Sequence, residues 1–505
     1  MVATALAAPA PVLGQGVSAQ GTGALFGATP FGEGTDEGTE SGDRAGEWVL
    51  APRLTLGETI SDNFALAPPG EEEWDLISQI TPGIRVERDG TRTQAYLDYQ
   101  AQSLFYVRNP ESDGVFHQLE ANGTGELWRN HLFLDGAASY TQQLISPLGA
   151  VPESNLVPTA NRTDVATYEL SPYYVQRLGS FADARARYTY NRVDYETQSL
   201  SDTESNGVSA SLDSGERYDD LGWRASYSRE EERLEDWPDR TFERASGELS
   251  HRLGSKTEVF GMYGYEDNDY ETDPTGDATG GDLSSDFWEA GMRYSPTPRT
   301  FLEGAYGERY FGNTWRANLE HSTRQTNWQV GYSETIETES QLQADTLNMR
   351  LTDPSGNTIT DEEGNPILLE VPFSLQVQDV FLRKRWNADV TADTGKSQFR
   401  LSGYQESRDY QRTGLEEEGY GAGTGWTWRI APRTRAITRL SWDHHDLAFQ
   451  GDRKDDVWRF GVRLARELRR QLTTSVDYQY LRRDSNQSSA EYRQNSVTLL
   501  LRKVF

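Results

Sequence analysis

From Trp48 onward apolar and polar residues alternate at every second position, which places side chains on the two opposite faces of extended strands rather than on one stripe of a helix. Trp48, Leu50, Leu54 and Leu56 share one face, with Arg53 and Thr55 on the other. Ala95, Leu97, Tyr99 and Ala101 lie opposite Gln94, Asp98 and Gln100, and Val259, Gly261, Tyr263 and Tyr265 lie opposite Glu258 and Gly264. The connections alternate in length. Short turns such as Asp89-Gly90, Arg129-Asn130, Leu178-Gly179-Ser180, Ser214-Gly215, Thr394-Gly395-Lys396 and Pro432-Arg433 are separated by longer segments near 60–74, 108–114, 145–163, 194–206, 229–240, 266–286, 337–373, 408–418, 443–456 and 483–490. One strand on each side of every connection gives about 22 strands. An even number returns both ends of the chain to the same side.

The pattern therefore predicts an all-β chain, a transmembrane antiparallel up-and-down β-barrel over 47–505, with short periplasmic turns and longer acidic extracellular loops. A soluble β-propeller would repeat a blade motif, and the sequence has none. Composition strengthens this expectation. Mean hydropathy is −0.74 and 35% of residues are hydrophobic, yet there are 13 Trp, 25 Tyr and 18 Phe, so the chain folds while spreading its apolar groups thinly. A barrel does this, because only one face of each strand meets lipid. Past the N-terminus no uncharged apolar run reaches the length of a membrane-spanning helix.

A net charge of −30 argues against nucleic acid as a partner, and the absence of cysteine excludes disulfides, thiolate metal sites and thiol catalysis. Acidic residues crowd the longer connections: Glu230 to Glu232, Glu266, Asp267, Asp269, Glu271, Asp273, Asp361 to Glu363 and Glu416 to Glu418. Solvation explains such loops, and contact with divalent cations and lipopolysaccharide phosphates is the functional alternative. Residues 1–20 are Ala-rich with Ala-x-Ala-like sites and resemble the end of a signal peptide; residues 21–46 read as a flexible periplasmic leader.

Two early segments, APRLTLGETISDNFAL (51–66) and DLISQITPGIRVERDGTRTQAYLDY (75–99), resemble outer-membrane β-barrels associated with PEP-CTERM and exosortase systems, a porin-like family. Pro52 precedes an alternating strand topped by Ser61-Asp62-Asn63, then come Ile80-Thr81-Pro82-Gly83 and the Tyr96/Tyr99 segment; 119–143 fits the same family's third hairpin. The resemblance implies a Gram-negative outer-membrane location and a link to exopolysaccharide production and export of sorted proteins. It transfers no catalytic residue. The last strand, Tyr492 to Phe505, places Val497, Leu499, Leu501 and Phe505 on one face, and its terminal Phe505 resembles the signal read by the barrel-assembly machinery.

Candidate chemistry is sparse. Asp443-His444-His445-Asp446 clusters two histidines, but neighbours in a strand point to opposite faces and do not share a metal. Gly421-Ala422-Gly423-Thr424-Gly425 lacks the Gly-Lys-Ser/Thr of a phosphate loop and reads as a glycine-lined strand face leaving room for Trp426 or Trp428. Asp273 to Asp277 and Asp353 to Asn357 are turn sequences rather than calcium loops. Tyr173, Tyr174, Trp288, Tyr294, Trp426, Trp428, Trp442 and Trp458 suit an interfacial girdle. Arg185, Arg187, Arg383, Arg385, Arg400, Arg459 and Arg463 alternate with apolar or small neighbours and are expected to line the lumen, because a charge on the lipid face costs about 2–4 kcal/mol at the midplane. Asp183 and Asp389 are candidate partners.

The expectation is a barrel acting as conduit or scaffold in exopolysaccharide or protein export, without catalytic residues, cofactor or metal. The alternatives are a general diffusion porin and, with no G-x-S-x-G and no His in a triad setting to support it, an outer-membrane hydrolase.

Overall fold

The computed structural model describes residues 46–218, 220–235, 237–270, 283–342, 379–447 and 453–505. The signal-peptide-like stretch 1–20, the leader 21–46 except its last residue, and the turn sequences 273–277 and 353–357 fall outside them. The strands in chain order are β1 (Trp48–Ser61), β2 (Asp75–Asp89), β3 (Thr93–Tyr106), β4 (Gly114–Trp128), β5 (Leu132–Leu144), β6 (Arg162–Leu178), β7 (Ala182–Tyr195) and β8 (Thr203–Ser214). Then follow β9 (Leu221–Leu234), β10 (Arg240–Arg252), β11 (Thr257–Asp269), β12 (Ser285–Thr297), β13 (Thr300–Arg309), β14 (Gly312–Ser322), β15 (Thr326–Thr338) and β16 (Val380–Asp393). The last six are β17 (Ser397–Tyr410), β18 (Glu416–Ala431), β19 (Thr434–Leu447), β20 (Arg453–Arg469), β21 (Leu472–Ser485) and β22 (Tyr492–Val504).

All belong to one 22-stranded sheet, in which each strand pairs antiparallel with its neighbours in sequence. The sheet closes where β1 meets β22 in continuous register from Arg53↔Val504 to Ser61↔Ser496. Closure removes both sheet edges, so every strand has its backbone partners inside the wall. Phe505 sits at this seam, its amide donating to the Pro52 carbonyl at 2.9 Å with its ring exposed outward.

Alternation decides which face is which. In β1, Trp48, Leu50, Leu56 and Ile60 are exposed on the outer face, whereas Arg53, Thr59 and Ser61 are buried inside. Val497, Leu499 and Leu501 of β22 and Tyr263 and Tyr265 of β11 are likewise exposed outward, and Phe260 and Glu266 are buried inward. A band of apolar side chains thus faces lipid and polar ones face the interior.

The short turns fall where the sequence places them, but several long connections are shorter than expected because the strands continue upward. β9 runs to Leu234, β19 to Leu447 and β20 starts at Arg453. The acidic runs Glu230 to Glu232, Glu266 to Asp269 and Glu416 to Glu418 are therefore strand ends, not loops. Three of these nine acids are buried inward: Glu232 and Glu266 are 1% exposed and Glu417 6%. Solvation accounts only for the outward ones.

Candidate functional site: the charged lumen and its inward-folded segments

Each of the seven arginines singled out by alternation lies on an inward-facing strand position. Arg187 bonds Asp135 at 3.0 Å and Ser171 at 2.7 Å, and both it and Arg185 lie over the Tyr173 ring, at 4.3 and 6.0 Å from its centroid. Arg400 bonds Asp389 at 2.7 Å, and Arg463 pairs with Asp477. Asp183 takes no part in the lumen; it meets Arg177 near the periplasmic turn, where both side chains are largely exposed.

Arg383 and Arg385 converge with Arg408 on Glu406, which lies 2.9 Å from Arg383 and 2.6 Å from Arg408. Arg383 also reaches Glu337 at 3.0 Å and Arg408 reaches Glu339 at 3.4 Å. All four central groups are at most 5% exposed. A buried guanidinium persists only when carboxylates and hydrogen bonds replace its water, and sharing one carboxylate among three guanidiniums makes that carboxylate the keystone. On β12, four strands before β16, Arg293 plays the reverse part, meeting Glu248, Glu258 and Glu303 at 3.0, 2.8 and 2.9 Å while stacking 4.1 Å from the Phe260 centroid.

Two segments fold inward from the extracellular end. Residues 145–161, between β5 and β6, reach strands on the far side of the closing seam. Arg453 donates to the Leu148 carbonyl at 2.8 Å, Arg483 to the carbonyls of Pro147 and Gly149, and the Val151 amide to the Tyr492 hydroxyl at 3.2 Å. Arg459 bonds Glu153 at 3.2 Å as well as Asp443. Val157 packs with Leu66, Val457, Leu481 and Tyr492, and Leu156 against Phe64, Ile77, Leu104 and Tyr106.

The second segment, 339–342, continues β15 and spans from β16 and β17 to β9. Glu232 accepts from the Thr338 hydroxyl at 2.8 Å and the Ser340 hydroxyl at 2.7 Å, and lies 3.5 Å from Arg240. Gln341 donates to Glu230 at 3.1 Å, and Leu342 packs with Phe381, Tyr410 and Leu415. Asp379, just before β16, accepts the amides of Val380, Arg412 and Thr413 at 2.8, 3.2 and 3.3 Å. Burial pushes its carboxyl above the ordinary carboxylate range, although those amides pull the other way.

Other sequence expectations resolve locally. His444 points outward, stacked 4.8 Å from Tyr420 and 3.1 Å from Asp456, while His445 is buried inside, so the two do not share a ligand position. The glycine stripe of β18 faces inward, and Asp443 and Tyr404 occupy the space over it: a Cβ on Gly421 would fall 2.5 Å from the Asp443 carboxylate and 2.8 Å from the Tyr404 ring. Trp426 and Trp428 instead stack on each other on the lipid side. Trp288, Tyr294, Trp442 and Trp458 join this outer face, as does Tyr174 beside Trp128 near the periplasmic turn. Tyr173 departs from the expected girdle, because it carries the two lumen arginines. Among the described residues no group of three or more acidic or histidine side chains is placed to hold a metal ion.

Compared with known proteins, the sequence matches no family model and no curated relative. Solved structures are similar in fold. The siderophore receptor PirA from Acinetobacter baumannii is 9% identical over 90% of this chain and 80% of its own, with a TM-score of 0.51. The FrpB iron transporter from Neisseria meningitidis (F5-1 variant) is 10% identical over 90% and 82%, also with a TM-score of 0.51. A closed 22-stranded wall with a lipid-facing apolar band, in the company of these neighbours, identifies the chain as a β-barrel of the bacterial outer membrane.

Proposed function

We propose that the barrel serves exopolysaccharide or protein export at the cell surface, as conduit or scaffold, with no covalent chemistry of its own. The observation that carries this reading is a wide barrel whose extracellular mouth is narrowed from two sides by 145–161 and 339–342, both tied to the wall largely by polar contacts. Barrels of this strand number enclose a lumen large enough to need filling, and polar ties are the kind a passing polymer can exchange for its own hydroxyls and carboxylates. The likeness of 51–66, 75–99 and 119–143 to barrels of PEP-CTERM and exosortase systems supports the same direction. Partners in this reading are the barrel-assembly machinery at Phe505, and lipopolysaccharide and its divalent cations at the outward acids Glu416 and Glu418.

A general diffusion porin is the second reading, favoured by the density of paired charge along the wall. Single-channel conductance of the refolded, heat-modifiable barrel in a planar bilayer separates the two. The export reading expects low conductance that changes when an acidic exopolysaccharide is added. Large, steady conductance indifferent to polymer overturns it in favour of the porin.

A further inference from the structure

The inner face of the wall is not filled evenly. On β16 and β17 the inward side chains Arg383, Arg385, Asn387 and Glu406 are at most 8% exposed. On β8 and β9 the inward Ser209 and Ser228, directly opposite each other in register, are exposed to the lumen. Their neighbours on the same face are equally small: Ser211 faces Ser226, and the Ser226 and Ser246 hydroxyls bond at 2.7 Å. Short hydroxylated side chains thus leave space open along β8 to β10, where β16 and β17 fill theirs.

Two guanidiniums border this strip without a carboxylate of their own. Arg185 on β7 is in register with Ser211 and lies 6.0 Å from the Tyr173 centroid. Arg244 on β10 is in register with Ser228 and lies 4.2 Å from the Phe287 centroid. Among the described residues neither donates a hydrogen bond or comes within 4.0 Å of an acid. The acids around them are engaged elsewhere. Asp135 bonds Arg187, and Asp213 pairs with Arg224. Glu266, in register with Arg244, bonds Arg309 at 2.6 Å, while Glu289 pairs with Arg316 and Glu248 with Arg293. Glu169 of β6 sits higher, in register with Asn191, and Glu230 and Glu232, above Ser228 on β9, hold segment 339–342 and its foot Thr338. A guanidinium resting on an aromatic face keeps its N–H edge for a planar oxyanion.

We propose that Arg185 and Arg244, with the serines between them, hold a carboxylate-bearing saccharide at mid-height in the lumen. The two arginines stand three strand spacings apart, about 14 Å across the sheet, so they engage separate sugar units of one chain rather than a single carboxylate. Each fork matches a carboxylate with two parallel hydrogen bonds, and serine hydroxyls both donate and accept, as a sugar hydroxyl requires. Segment 339–342 closes the strip toward the extracellular side, because it is tied to Glu230 and Glu232, the next inward positions of β9 above Ser228. A held chain therefore leaves outward only when that segment yields. The inference rests on the export reading and gives the polymer its place in the lumen.

The chain has no cysteine, so Ser228→Cys places a single thiol in the strip. Its labelling in the detergent-purified full-length barrel is followed with a negatively and a positively charged methanethiosulfonate, each rate divided by that for a free thiol. Folding of each variant is checked by heat-modifiable gel mobility. The anionic reagent is expected to react about tenfold faster, and oligogalacturonate, but not a malto-oligosaccharide of equal length, to slow it by a similar factor. Adding Arg185→Gln/Arg244→Gln is expected to remove both effects, while Ser441→Cys, inward on β19 but 2% exposed, stays unlabelled. An unreactive Ser228→Cys, equal labelling at Ser441→Cys, preference for the cationic reagent, equal protection by both saccharides, or protection that survives the double variant overturns the inference. Should the double variant not fold, Arg185→Gln alone, whose guanidinium touches only the Tyr173 ring, is read in the same way. Polysaccharide secretion by cells lacking the gene separates the two proposals: secretion lost while oligogalacturonate leaves Ser228→Cys labelling unchanged keeps export and removes this site, and secretion intact while the saccharide protects does the opposite.

Discussion

The two inward-folded segments are fastened by different chemistry. Segment 145–161 is gripped mainly through its backbone, with Arg453, Arg483 and Tyr492 of the wall reaching Pro147, Leu148, Gly149 and Val151. Segment 339–342 is gripped through side chains, with Glu232 accepting the hydroxyls of Thr338 and Ser340. Over 147–151, where the grip is on carbonyls and an amide, it tolerates almost any residue and depends on the wall. A side-chain grip depends on a few residues on both sides, and here on one buried carboxylate.

The largest effect that sharpens this contrast comes from Glu232→Ala. It removes both hydroxyl contacts and leaves Arg240, itself 7% exposed, without the carboxylate 3.5 Å away. Breaking a buried pair costs about 3–5 kcal/mol. Hydrogen exchange is expected to show 339–342 losing protection while 145–161 keeps it, accompanied by a rise in channel conductance. Protection loss spread equally over both segments would break the comparison.

A smaller effect on its segment is expected from Arg453→Gln, which orphans the Leu148 carbonyl at a cost of about 1–3 kcal/mol and also breaks the buried pair with Asp455 inside the wall, whereas Leu148→Ala inside the segment should leave its protection almost unchanged. Limited proteolysis of 145–161 reads both. Cleavage rising more in the Leu148 variant than in the Arg453 variant would refute a backbone grip.

The smallest effect is pH-dependent and belongs to the foot of the second segment. Because burial raises the folded-state value of Asp379 above its unfolded one, its stabilising contribution is complete below the ordinary carboxylate range and is lost as pH rises through the raised value. Local exchange near Val380 should therefore quicken slightly over that interval, and Asp379→Asn should flatten the change. An equal pH response in the Asn variant would assign it to other acids.

Strand count and facing were legible in the sequence because lipid and lumen impose opposite demands on successive residues, and the rule holds along the membrane-spanning part of the described strands. The rule weakens at the extracellular end. There the strands continue beyond the apolar band, both faces are polar, and Glu230 to Glu232 look like loop. The partners of 145–161 were invisible for another reason: Arg453 and Arg483 recognise carbonyls some 300 residues away in the chain, 305 for the Arg453 contact, and carbonyls carry no sequence. Tyr404 filling the space over Gly421 was equally hidden, since register between β17 and β18 is set by the whole sheet and not by the glycine run.

The seam between β1 and β22 also has a consequence in time. Thr59 and Thr498 bond across 439 residues of chain, so the contacts that complete the wall are among the most non-local the molecule makes. Loop-closure entropy must be met before such a contact returns anything, which places it among the slowest steps of assembly. Until it forms, the first and last strands offer unpaired backbone to any neighbouring strand, and the envelope must shelter the sheet through that interval.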